Sequence, residues 1–368
     1  MSTPLLARVA ALLDRLDDLD DLDVGIEALR ESLDEPVRLL VVGAEEHAAP
    51  IRRSLAASGL PAEIVGDGDA ADALVTVLRP VPERPPMPDP VHLAAPSSSL
   101  LVLSPIDEAV GGTAGGWAGV CAWYTAPGRL PWIPGAVVAV AGRAADGAGR
   151  LEADEVEALQ AVAALDPVVR RRLTTTVDRF RAPDTPDPDP RARNRLLGRL
   201  GLFGVRSAVE GLASGTADLG GLPAHLHEAS GMAALCEAVT ARFVAHAGPL
   251  RARSVLLALQ RYAAGAGEAV RSAVEQGVEE LLATSPELTL LRLESLVLSG
   301  LVEITDDERD ELLALTRDPP AGSGTKRAAL EGVERWRRLA ASPLNDSRRA
   351  ELCDLAVQVY ERRYTSDA

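Results

Sequence analysis

Lysine is nearly missing from this chain: Lys326 is the only one in 368 residues. With 38 Lys+Arg against 54 Asp+Glu, the formal net charge is −16. That balance excludes general nucleic-acid binding, because phosphate backbones require a positive surface. It also excludes an electrostatic hold on an anionic membrane leaflet. Aromatic residues make up only 3% of the chain, so the core must be built from Ala, Leu and Val. The three cysteines, Cys121, Cys236 and Cys353, are odd in number and far apart. They exclude a disulfide framework and suit buried thiols in a reducing cytoplasm. No apolar run approaches the roughly 20 residues of a membrane span. The opening residues lack the basic start and cleavage site of a signal peptide. The expectation is a cytoplasmic protein whose membrane association is at most peripheral.

What is present begins with Val37 to Arg53, VRLLVVGAEEHAAPIRR. An apolar run enters Gly43 and continues into a helix, the strand–glycine–helix layout of a phosphate-binding loop. A working loop reads G-x-x-x-x-G-K-[ST], with backbone amides, a lysine and a hydroxyl on the phosphates and Mg²⁺. Counted from Gly43, those last three positions are Ala48, Ala49 and Pro50. Glu45 and Glu46 stand where phosphate would sit, and one such repulsion at ~4 Å costs about 4 kcal/mol at an effective dielectric of ~20. Arg52 and Arg53 lie beyond Pro50 and should point along the helix surface. Lys326, in PPAGSGTKRAAL, follows two prolines rather than a strand and reads as part of a loop.

Further strands are expected at Ala62–Val65, Ala73–Leu78, Leu100–Leu103 and Ala136–Ala141, with a helix over Ile51–Ser58 and a surface loop over Pro80–Ser99. Strands alternating with helices and loops imply a small, mostly parallel sheet. Leu5 to Leu33 reads as an amphipathic helix or a pair divided at Gly25. From Leu151 the period is helical, broken by the prolines of Ala182–Pro190. Helices follow over Arg193–Leu212, Leu219–Glu228, Met232–Ala247 and onward from Leu250. Ser285-Pro286-Glu287 should cap another, and the last three lie at Asp306–Leu315, Arg327–Ala340 and Ser347–Tyr364. A helical bundle is expected rather than a solenoid.

Other chemistry-bearing residues have plainer readings. Asp17, Asp18, Asp20, Asp21 and Asp23 lack the glycine and glutamate offsets of a calcium loop, so they read as a solvated helix face. His225, His227 and Glu228 lack a third ligand. Cys121 has no paired histidine and belongs in an apolar cluster with Trp117, Trp123 and Tyr124. The arginines at 170–172, 191–199, 251, 253 and 335–338 suit ion pairs on helix surfaces. Leu288–Leu301 is apolar on more than one face and suits the bundle core.

RLGLFGVRSAVEGL (Arg199 to Leu212), SGMAALCEAVTARFVAHAGPLRARSVLLAL (Ser230 to Leu259) and RWRRLAASPLNDSRRAELCDLAVQVYERRY (Arg335 to Tyr364) resemble the helical part of bacterial dynamin-like proteins. The type is the actinobacterial one that includes the isoniazid-inducible proteins. VVAVAG with the following acidic helix and TTVDRF fits the same pattern. The resemblance implies a GTPase domain on a helical bundle joined by the N-terminal helices, and members that associate through their G domains and remodel or tether membranes. It places the family's phosphate loop on Gly43 to Pro50, where only Gly43 matches. Its guanine-specificity motif falls on Ser104-Pro105-Ile106-Asp107, where Asp107 matches and Pro105 replaces the basic residue. No D-x-x-G metal motif precedes Ala73–Leu78.

The fold class expected is α/β plus α: a reduced P-loop GTPase-like, Rossmann-like parallel sheet attached to an α-helical bundle. Residues 1–34 form the N-terminal helix or helices joining the bundle, 35–146 the degenerate GTPase-like domain, and 147–368 the bundle. No catalytic residue, metal or cofactor is expected, with Gly43 and Asp107 as vestiges. The function expected is that of a pseudo-GTPase, a scaffold or regulatory partner of an active dynamin-like GTPase, or one that self-associates. A divergent GTPase and a purely structural interaction module are the alternatives.

Overall fold

The computed structural model describes residues 4–17, 25–67, 69–80, 96–110, 116–125, 136–182, 188–299, 301–317 and 325–366. Asp18, Asp20, Asp21 and Asp23, most of the Pro80–Ser99 segment, part of the glycine-rich stretch after Val110, Trp132 and most of the Ala182–Pro190 break lie outside them.

Five strands form one parallel sheet in the order β2-β1-β3-β4-β5. They are β1 (Val37–Gly43), β2 (Ala62–Val65), β3 (Ala73–Leu78), β4 (Ser99–Leu103) and β5 (Val137–Ala139). Near-continuous apolar runs such as Leu74–Val77 and Leu100–Leu103 suit a parallel sheet covered on both faces. On one face Val37, Leu39, Val41, Val75, Val77, Leu100 and Val102 are buried under α3 (Glu45–Ala57) and α12 (Met232–Val239). On the other, Leu101, Leu103 and Ala139 meet α4 (Ile106–Val110) and α5 (Trp117–Thr125), where Trp117 and Tyr124 are buried. The core of the sheet thus takes in Met232, Leu235, Val239 and Phe243, far along the chain.

Helices occupy most of the rest. α1 (Pro4–Asp17) and α2 (Ile26–Ser32) lie on α13 (Ala247–Ala263) and α14 (Glu268–Thr284). The three- and four-residue spacing of Leu5, Val9, Leu12, Leu13 and Leu16 puts them on one face of α1, and all are buried. Gly25, at φ 130°, makes the turn into α2. A second cluster joins α6 (Gly142–Ala148), α7 (Ala153–Ala163), α8 (Pro167–Leu173), α9 (Val177–Arg181), α10 (Pro190–Ser214) and α11 (Leu222–Ala229). A third joins α15 (Pro286–Leu298), α16 (Asp306–Arg317), α17 (Thr325–Ala340) and α18 (Ser347–Ser366) around Trp336. Among the described residues no helix is long and apolar enough to cross a membrane.

Several local expectations change. The first helix after β1 starts at Glu45, not Ile51. The last strand is shorter than Ala136–Ala141, because the Ala141 amide turns to the Ser230 carbonyl at 2.9 Å and leaves the ladder. The end of the Pro80–Ser99 segment is not surface: Ser97, Ser98 and Ser99 are buried, with Ser97 Oγ 2.6 Å from Ser295 Oγ. Ser285 makes no side-chain cap on α15, since its hydroxyl accepts from Arg8 at 3.1 Å. The Met232–Ala247 helix is interrupted by a π-turn, Thr240–Val244. Lys326 lies in the first turn of α17 rather than in a loop. Leu288, Leu291, Leu293, Val297 and Leu298 are buried, while Leu301 is exposed.

Candidate functional site

In doubly wound sheets, ligands bind beyond the carboxyl ends of the strands where the strand order reverses. Here that point lies between β1 and β3, at Gly43. The single residue Ala44 separates β1 from α3. The amides of His47 and Ala48 donate to the Ala44 carbonyl at 2.8 and 2.9 Å. Two of the amides that would cradle phosphate are therefore already bonded in the helix, and the positions counted as a loop from Glu45 through Pro50 belong to it. Glu45 and Glu46 occupy its first turn, where carboxylates suit the helix dipole. That is where an anionic ligand would otherwise be held.

Gly43 has a different job. Its φ is 150°, and a Cβ built there would lie 2.4 Å from the Val77 carbonyl oxygen. Glycine is required because β1 and β3 approach closely at their ends. Arg52 and Arg53 are engaged elsewhere. Arg52 faces Glu45 at 3.3 Å and donates to the Val41 carbonyl at 3.4 Å. Arg53 grips Asp146 through two bonds of 3.0 and 2.8 Å.

Beyond β4, the Ser104 amide donates to Leu78 at 2.9 Å and Ile106 is buried, which seats Asp107 at the start of α4. Burial raises the Asp107 carboxyl to about 6, and neighbouring Glu108 adds to the rise while Arg143 opposes it. Arg143, in the first turn of α6, pairs with Glu108 at 3.6 Å. Between α3, the end of β4 and α6 lies a cleft of about 240 Å³, lined among others by Glu46, His47, Pro50, Glu108 and Arg143. It is smaller than the 300–1,000 Å³ usual for small-molecule sites. Gly142 closes one wall, since a Cβ there would stand 2.8 Å from Ser104 Oγ.

Sequence reasoning singles out Gly43 and Asp107, and notes His47 as a polar residue of the same segment without a partner, but does not bring His47, Glu108 and Arg143 together in a cleft. The signal for Arg143 was its place just after the VVAVAG run, at the carboxyl end of a strand.

The remaining candidates settle into packing roles. His225 sits against Gly211, its Nε2 3.1 Å from the Ser207 carbonyl, and no group of three or more His, Cys, Asp or Glu among the described residues can hold a metal. Cys121 and Trp123 pack with Trp117 and Tyr124, and Trp117 meets Phe203 at 5.0 Å. Burial pushes the Cys121, Cys236 and Cys353 thiols up, away from a reactive thiolate. Of the arginine groups, Arg170 binds the Ala163 carbonyl, Arg199 pairs with Glu152 and Glu155, Arg251 binds the Leu33 carbonyl, and Arg335 pairs with Glu311.

No protein-family model matches the chain, and no solved structure matches it. It is similar to isoniazid-induced protein IniC of Mycobacterium tuberculosis, from strains CDC 1551/Oshkosh and ATCC 25618/H37Rv alike. Identity is 34% over 239 residues, covering 61% of this chain and 48% of the relative. The chain thus spans about half the length of the curated relatives it matches. Over that stretch the similarity is to an isoniazid-induced protein, in line with the actinobacterial dynamin-like group that the sequence resembles.

Proposed function

We propose that this chain is a catalytically inactive dynamin-like pseudo-GTPase, serving as a scaffold or regulatory partner of an active dynamin-like GTPase. The observation that carries the reading is the one-residue link between β1 and α3. Phosphoryl transfer on this architecture depends on a lysine and Mg²⁺ for charge neutralisation. Here the His47 and Ala48 amides are consumed in a helix and two glutamates open it. What persists is a surface, not a catalyst. On this reading residues 1–34 join the helical part, 35–146 form the vestigial G domain that docks, and the protein works in the cytoplasm, with any membrane contact peripheral.

Asp107 favours a second reading, a divergent guanine-binding protein, because it is the one residue that matches the family's guanine-specificity motif. Titration with fluorescent GTP and GDP analogues, with and without Mg²⁺, separates the two. No saturable binding up to millimolar nucleotide is expected; saturable binding abolished by Asp107→Ala would establish the second reading. Co-purification with an intact dynamin-like GTPase of the same group tests the partner role, and failure to associate in any nucleotide state would remove it.

A further inference from the structure

Away from the sheet's carboxyl edge lies a second cavity, of about 500 Å³. Its size falls within the range of small-molecule sites. Its apolar lining includes Ala238, Ala241, Pro249, Leu290 and Leu291. Ala241 and Arg242 belong to the π-turn, where the Ala245 amide reaches back five residues to the Thr240 carbonyl at 2.9 Å. Such turns give up regular helical bonding and are frequent at functional sites.

Arg242 supplies the chemistry. Its guanidinium donates to Glu294 at 3.0 Å, in a pair whose side chains are only 13% and 16% exposed. Its Nε–H is buried and has no acceptor among the described residues. A buried donor left without a partner is destabilising, and an acceptor brought by a ligand would relieve it. Glu287 and Glu294 both line the cavity, against the single cation Arg242, with His246 beside them. That excess of carboxylate disfavours an anion.

We propose that this cavity binds an uncharged, largely apolar small molecule carrying one carbonyl or similar acceptor, which takes the Arg242 Nε–H bond while its body lies along Ala238, Ala241 and Leu290. The site is independent of the nucleotide question, since it shares no residue with the Gly43 cleft.

The test uses the intact chain and the neutral naphthyl ketone 6-propionyl-2-dimethylaminonaphthalene, whose emission shifts to the blue in apolar surroundings. The expected result is saturable binding of one dye per chain with blue-shifted emission. Ala241→Trp, which fills the space, should weaken binding at least tenfold. Arg242→Lys keeps a cation opposite Glu294 but removes the Nε donor, and should weaken it about five- to tenfold, the worth of one hydrogen bond. Should Ala241→Trp fail to fold by circular dichroism, Ala238→Phe replaces it with the same expectation. Absence of saturable binding, or equal affinity in the wild type and the filled variant, would overturn the proposal.

Discussion

Asp107 holds a proton well above the pH at which an exposed aspartate would release it, because burial raises its carboxyl to about 6. The folded chain therefore binds a proton that the unfolded chain has lost between about pH 4 and pH 6. Stability must fall as pH rises through that window, by up to about 2–3 kcal/mol from this residue. Asp107→Asn should remove that fall and make the protein more stable at pH 7.5 by about 1–2 kcal/mol. Urea unfolding of both proteins at pH 5 and 7.5 measures it; an unchanged pH response in the variant would refute the assignment. Gly43 gives the opposite kind of residue, one whose motif position conceals its role. Gly43→Ala must force a Cβ against the Val77 carbonyl at an unfavourable φ, and should cost about 2–4 kcal/mol in the same assay. The sequence displayed Gly43 and Asp107 as remnants of two motifs. It did not display why Gly43 is kept, because that reason is the backbone of a strand further along the chain.

At the scale of elements, periodicity locates most helices and the apolar runs locate every strand among the described residues. Counting a phosphate-loop consensus through Pro50 puts the start of α3 at Ile51, whereas the helix begins at Glu45 with Pro50 inside it. Proline there forgoes only the bond to the Glu46 carbonyl, and Ala48, Ile51 and Leu55 keep the helix on the sheet. The π-turn left no sequence signal, since Thr-Ala-Arg-Phe-Val is compatible with ordinary helix. In the C-terminal helices, Glu308 joins α16 to α18 through Arg349 at 2.8 Å, and Arg335 and Arg349 flank the buried Trp336 ring. Burial alone would raise Glu308, but its bonds from Arg349 and the Thr305 amide outweigh this and hold it below its usual value. Its stabilisation is present above the ordinary glutamate pKa of about 4.3 and is lost as pH falls through the lower folded value. An acid titration followed by tryptophan fluorescence should therefore show these helices loosening below about pH 4. Glu308→Gln should move that transition upward and cost about 1–3 kcal/mol at neutral pH. A variant with the same acid midpoint would argue against the pair.

Across the whole molecule, the sheet and the helices share material that the chain's linear order keeps apart. The sheet's core ends in α12 and the π-turn, which run on into α13, and α13 in turn carries α1. The expectation of α/β plus α was legible from composition shifts and strand runs. The strand order was not, because parallel strands are joined by distant crossovers rather than by local turns. Removing residues 1–33 should bare Val255, Leu259, Val274 and Val278 on α13 and α14. Each fully buried side chain of this kind is worth about 1.5–3 kcal/mol, so the truncated chain is expected to aggregate or to bind hydrophobic dye strongly. A monomeric, well-folded truncation by size-exclusion chromatography would show that α1 is dispensable.

The brevity of the junction at Ala44 makes the loss a matter of backbone shape as well as of spelling. Ala48→Gly, Ala49→Lys and Pro50→Ser together rewrite the consensus letter for letter, yet every edited position would still ride on a rod that has begun at Glu45. Only unwinding the first turn of that rod would return a pouch for triphosphate, so repair by these three changes alone should fail to restore nucleotide binding.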